Sequence, residues 1–291
     1  MKYIEKLNVS IRNSRSVLCA GLDPVPEHFP PEITNQYPSE GDQTITFCRR
    51  IIEQSKTGVA AYKINLAYFE ALGSEAYDVL DDVLDAIPSG KIIIADAKRS
   101  DVSHTAARYK IAFFDRFGFD AITLSPFMGM ETMVPFLQDE DHAVYALTLT
   151  SNPGAGDFMT RPFEGAPTLS MHVAGLLREL DRHHPGSAGM VIGATQSDLY
   201  GPVLKAYPKA PLLIPGIGAQ GGSVAELQKH LAEHQGIPLI NVSRSLSDYD
   251  PTSNDPWDVQ IALHTGRLNK ALQTISDRYL PDSSSFVNPS G

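Results

Sequence analysis

The chain has 291 residues, 42% of them hydrophobic, and a formal net charge of −10, a length that suffices for one large domain or two small ones. Its basic residues form no run or stripe, which argues against nucleic acid or an anionic membrane as partner yet leaves room for a local cationic pocket. Cys19 and Cys48 fall in apolar runs and read as buried and reduced, as in the cytosol; MKYIEKLNVSIRNS lacks a signal-peptide core, and no apolar stretch is long enough to cross a bilayer.

In chain order, Ile4, Leu7 and Ile11 predict a short amphipathic helix that covers one end of the core. A buried strand follows over 16–22, ended by Asp23-Pro24, then a Pro-rich loop to about residue 40 and a helix over 43–55. The run GVAAYKIN predicts a second strand over 58–65 with Lys63 near its end, followed by a helix over 66–86. Strand three is expected over 91–96, a helix over 102–117, and strand four over 121–124. A short helix over 130–137 leads to strand five over 143–149, an irregular stretch over 151–167, and a helix over 168–183. Strands six, seven and eight are expected over 189–193, 211–214 and 238–242, with a last helix over 257–275. Residues 281–291 read as a flexible tail.

Eight strands separated by helices, with no composition break, point to an α/β fold, a single (β/α)8 TIM barrel over 1–280 with an extra N-terminal helix. A doubly wound open sheet is the runner-up. The barrel is favoured because Asp23, Lys63, Asp96 with Lys98, Ser151, Pro215 and Arg244 follow six different strands at their C-terminal ends, where barrels assemble active sites. An open sheet would not bring them together.

The densest signal is KIIIADAKRSDVSHTAAR, residues 91–108. Asp96 and Lys98 are two apart and would share a face of an extended strand. Asp101, Thr105 and Arg108 are spaced four and three apart, as on one face of the next helix. Taken singly, Asp101 or Ser100 reads as a helix cap. Alternating charges converging after an apolar strand read as a site.

Gly216-Ile217-Gly218-Ala219-Gln220-Gly221-Gly222 follows strand seven and Ser243-Arg244-Ser245 follows strand eight. Paired loops at these strand ends predict phosphate binding, with backbone N–H groups at Gly216, Gly218 and Gly221 and a charged fork from Arg244. The same loop matches G-x-G-x-x-G, but it lies late in the chain and Asn241, not an acid, lies about 20 residues on, so a dinucleotide is not expected. No H-E-x-x-H, cysteine cluster or G-x-S-x-G occurs, and Asp81-Asp82, Asp139-Glu140-Asp141 and His183-His184 read as solvated surface.

D-x-K-x-x-D over Asp96, Lys98 and Asp101, the lysine closing strand two, and P-G-x-G-A-Q-G-G together resemble orotidine 5'-phosphate decarboxylase. The resemblance runs from about Val17 to Arg244, and DAKRSDVSHTAARY, TSNPGAGDF and IPGIGAQGG are similar to its longer bacterial subgroup (type 2). Related sugar-phosphate barrels share D-x-K-x-x-D but carry an acid for Mg2+ where this sequence has Lys63, so the resemblance implies no metal and no cofactor. It implies decarboxylation of orotidine 5'-phosphate with Lys98 as proton donor, held charged by Asp96, Lys63 and Asp101. By similarity Asp23 and Lys63 contact the ribose, Ser151 the pyrimidine edge, and Gln220, Ser243 and Arg244 the phosphate, with Pro215 opening the phosphate loop. It also implies a homodimer in which Asp101 and Thr105 enter the neighbouring site. Ser243 departs from the glycine of some relatives. A non-catalytic phosphate-ligand-binding barrel and a metal-dependent sugar-phosphate lyase remain as alternatives.

Overall fold

Eight short strands, most of them buried along most of their length, close on themselves in sequence order. They are β1 (Leu18–Leu22), β2 (Ala61–Asn65), β3 (Ile92–Arg99), β4 (Ala121–Leu124), β5 (Ala143–Leu149), β6 (Ser187–Ile192), β7 (Leu212–Pro215) and β8 (Pro238–Val242). All neighbouring pairs are parallel, and the computed structural model, which describes residues 1–194, 197–217 and 223–280, is a (β/α)8 TIM barrel. The expected tail over 281–291 lies outside the described residues. No helix among the described residues is long and apolar enough to cross a membrane.

Register fixes which side chains enter the barrel, because parallel partners share a face and alternate residues point the same way. Lys63 pairs with Ile94, Thr123 with Tyr145, Leu147 with Val191, Val191 with Leu213, Pro215 with Asn241, and Asn241 with Cys19. The interior is therefore a packed layer of apolar side chains with polar groups concentrated on β1–β4 and β8 at the C-terminal end.

The N-terminal helix (Tyr3–Ser14) buries Tyr3, Leu7 and Ile11, while Ile4 is only half-buried. Its Tyr3 hydroxyl meets that of Tyr145 at 2.9 Å, so the helix closes the barrel's N-terminal end. The last helix (Trp257–Ser276) seals the outer layer by stacking Trp257 on Phe47 and hydrogen-bonding Asn269 to the Gly58 carbonyl.

Two helices depart from expectation. The segment expected to be helical over 66–86 breaks into Leu66–Glu70 and Ala76–Leu84, because Gly73 takes φ +68°, which no right-handed helix contains. The helix expected over 102–117 starts at Ser103 and turns from α to π over Ile111–Arg116. The wider turn narrows the angle between successive side chains, so the adjacent Phe113 and Phe114 both reach the core.

Candidate active site

Asp96 stands at the centre of the barrel's C-terminal mouth. Its Oδ2 accepts a hydrogen bond from Lys63 Nζ at 2.7 Å and its Oδ1 one from Lys98 Nζ at 2.7 Å. Lys63 also faces Asp23 Oδ1 at 3.6 Å. The side chains of Lys63 and Asp96 are 5% and 11% exposed, whereas Lys98 is 48% exposed, so the last ammonium is the more open to a ligand.

Strand three does not reach this arrangement by simple extension. It runs three residues beyond its expected end and bulges, with Ala95 opposite Ile122 but Arg99 opposite Leu124, so that three residues face Thr123 alone. Lys98 takes a left-handed φ of +48°, a strain of about 1–3 kcal/mol for a side chain of this kind. Two-residue spacing alone predicted that Asp96 and Lys98 share a face; the bulge is what aims both into the cavity.

The electrostatics are set by burial against paired charge. Burial alone would lower the pKa of Lys63, but Asp23 and Asp96 outweigh it and hold the ammonium above its ordinary range. Burial likewise opposes the Asp96 carboxylate, and Lys63 with Lys98 overrides it, holding that carboxyl well below the usual range. The array is thus an anion locked between two cations.

Around it lies a cavity of about 640 Å3, within the size range of small-molecule sites. One wall carries the charges; the opposite wall is apolar, with Leu147, Val191, Leu213 and Ile217. At the rim are Ser151, Pro215, Gly216, Ser243 and Arg244. Gly216 has φ +98°, a conformation side chains rarely adopt. Arg244 is exposed, and among the described residues its guanidinium makes no ion pair, which leaves it available to an anion. Gly218, Gln220 and Gly221 lie outside the described residues.

Ser243 fits because its neighbour is Gly21. A Cβ at Gly21 would stand 2.0 Å from Ser243 Oγ, so only glycine on β1 admits a hydroxyl side chain there.

Asp101 and Thr105 are not brought to the cavity. Asp101 lies in irregular backbone ahead of the helix that starts at Ser103, and its Oδ1 accepts the Val102 N–H at 2.8 Å. Asp101 makes no ion pair among the described residues and lines a small separate cleft beside Arg99 and Tyr109. Within one chain the charge array is therefore Asp23, Lys63, Asp96 and Lys98.

Sequence reasoning missed several polar residues of this cavity, among them His28, Asn65, Tyr68, Thr150, Thr123 and Asn241. Thr123 donates from Oγ1 to Asp96 Oδ1 at 2.9 Å and accepts the Lys98 N–H at 3.0 Å. Asn241 is 6% exposed and its buried Oδ1 has no partner among the described residues. Counting strand alternation forward from Leu239 and Ala121 could have placed both side chains inward; a lone Thr or Asn in an apolar run otherwise gives no signal.

A cavity with an immobilised ammonium, a carboxylate beside it and an exposed guanidinium at the rim suits an anionic ligand whose reaction develops negative charge near Lys98. A sequence model of the orotidine 5'-phosphate decarboxylase / HUMPS family matches residues 16–253. An orotidine 5'-phosphate decarboxylase from Herpetosiphon aurantiacus is 37% identical over 249 residues, 84% of this chain and 88% of that protein. Another from Roseiflexus castenholzii is 34% identical over 278 residues, 94% of this chain and 100% of that protein. The structure of Leishmania donovani OMP decarboxylase is 31% identical and matches with a TM-score of 0.78 over 95% of this chain and 99% of that one.

Proposed function

Because the chain belongs to the orotidine 5'-phosphate decarboxylase / HUMPS family, we propose that it converts orotidine 5'-phosphate to uridine 5'-phosphate and CO2 without a cofactor, a step of pyrimidine biosynthesis. The observation that carries this reading is the Lys63–Asp96–Lys98 array, which fixes one ammonium beside an apolar-walled space and leaves it half exposed.

The chemistry follows from that placement. The phosphate meets Arg244 and the loop beginning at Gly216, and the ribose meets Asp23 and Lys63. Ser151 takes the pyrimidine edge, and the ring lies with C6 against Lys98 Nζ. Asp96 then faces the substrate carboxylate, a like-charge repulsion of about 4 kcal/mol at 4 Å and an effective dielectric near 20. Breaking the C6–carboxylate bond releases CO2 and leaves the electron pair on C6. The Lys98 ammonium stabilises that pair as it forms, and one Nζ–H proton transfers to C6. Lys98 regains a proton from water after release. Phosphate binding energy would draw the loop over the ligand and assemble the site.

A metal-dependent lyase of the same barrel type is disfavoured by Lys63, whose ammonium fills the space between Asp23 and Asp96 that a divalent cation would need. A homodimer is supported by Asp101 and Thr105 standing outside their own cavity, with the intervening Val102 exposed. A second copy covering this face would bring both residues to the neighbouring mouth. A cytosolic setting fits the free thiols of Cys19 and Cys48.

The test is to follow the ultraviolet absorbance of orotidine 5'-phosphate with purified protein and EDTA. Loss of substrate with formation of uridine 5'-phosphate is expected. Tight binding of uridine 5'-phosphate without turnover would replace the enzyme with a phosphate-ligand-binding barrel, and activity abolished by the chelator would replace it with the metal-dependent lyase.

A further inference from the structure

The β3 bulge poses a hydrogen-bonding problem. Where Asp96, Ala97 and Lys98 face the single residue Thr123, the main-chain ladder is interrupted, and it resumes only where Ser125 N–H donates to the Arg99 carbonyl. A buried N–H inside such an interruption must find another acceptor. The Lys98 N–H finds Thr123 Oγ1 at 3.0 Å, and the same hydroxyl spends its own proton on Asp96 Oδ1 at 2.9 Å. Thr123 itself is 1% exposed and inward-facing, so it has no competing solvent.

We infer that Thr123 is a positioning residue for the reaction, holding the bulge so that the Lys98 ammonium and the Asp96 carboxylate keep one fixed relationship at C6. The hydroxyl bridges the backbone of the proton donor and the side chain that orients it. This bridge resists the tendency of Lys98 to leave its left-handed conformation. It also donates to the same Asp96 oxygen that Lys98 contacts, so Oδ1 is held by two donors at once. Threonine suits the place because its methyl group fills the barrel interior while its hydroxyl serves as both acceptor and donor.

This inference rests on the decarboxylase reading, and steady-state kinetics with orotidine 5'-phosphate separate the two. Wild type, Thr123→Val and Thr123→Ser are compared for kcat and KM, with uridine 5'-phosphate affinity measured directly. Thr123→Val is expected to lower kcat about tenfold or more while KM and product affinity stay within about threefold, and Thr123→Ser to restore kcat to within about threefold of wild type. Near-wild-type kcat in Thr123→Val overturns the inference. So does a serine variant as impaired as the valine one, or a loss shared equally by KM and product affinity. Should Thr123→Val not fold, Thr123→Cys, similar in size and a poor hydrogen-bonding group, carries the same readings. An inactive wild type overturns the decarboxylase reading and this one with it; an active wild type with an unchanged variant overturns this one alone.

Discussion

Lys63 and Asp96 meet at 2.7 Å across 33 positions of sequence, from neighbouring strands, with both side chains almost fully removed from water. Removing one partner of such a pair leaves the other charge buried and unmatched, at a cost of about 3–5 kcal/mol. Lys63→Met is therefore expected to lower unfolding free energy by up to that amount, because Asp23 loses its cation and Asp96 keeps only Lys98, on its more exposed side. Urea unfolding monitored by tryptophan fluorescence measures it, and a loss below about 1 kcal/mol would contradict the buried-pair assignment.

Lys98 carries a different burden. Its side chain is half exposed, and Asp96 retains Lys63 and Thr123 without it. Lys98→Ala should abolish decarboxylation while uridine 5'-phosphate still binds measurably. Turnover near the wild-type rate would rule out Lys98 as proton donor.

Arg244 contributes little to the fold, since among the described residues its guanidinium makes no ion pair or hydrogen bond. Arg244→Ala should leave the melting temperature within about 2 °C of wild type. Loss of a charged hydrogen bond to phosphate costs about 1.5–3 kcal/mol, so affinity for uridine 5'-phosphate should fall roughly ten- to hundredfold. Affinity for uridine, which lacks the phosphate, should not change. Equal losses for both ligands would move the phosphate elsewhere.

His234 gives stability a pH dependence unrelated to the site. It is buried, with Nε2 2.8 Å from the Ala210 carbonyl, and burial lowers its pKa below the ordinary imidazole value. The unfolded chain then binds the proton more readily than the native one, so stability is full above about pH 6.5 and falls as pH drops below it. His234→Gln, which can still donate to the carbonyl, should flatten the slope of melting temperature between about pH 6.5 and 5. An unchanged slope would assign the acid sensitivity to other groups.

Much of this molecule is legible in its sequence. The apolar runs at 18–22, 61–65, 92–95 and 143–149 alternate with helical segments, and burial on both faces forces such runs into a parallel sheet. Gly216, Ser243 and Arg244 lie at the rim for the same reason: in a barrel, every C-terminal strand end reaches one mouth. Asp96 and Lys98 were visible because two-residue spacing is a local property of an extended chain.

What the sequence could not express is register between strands. The bulge that aims Lys98 at the cavity exists only as a mismatch between β3 and β4, and it is closed by Thr123, 25 positions further along. The room for Ser243 is made by Gly21 on β1, which adjoins β8 only after the barrel shuts. Asp101, three residues from Lys98 and part of the same motif, turns instead toward a separate cleft. Local pattern determines which way a side chain leaves its strand; pairing and closure decide what it meets, because those contacts form between segments far apart in the chain.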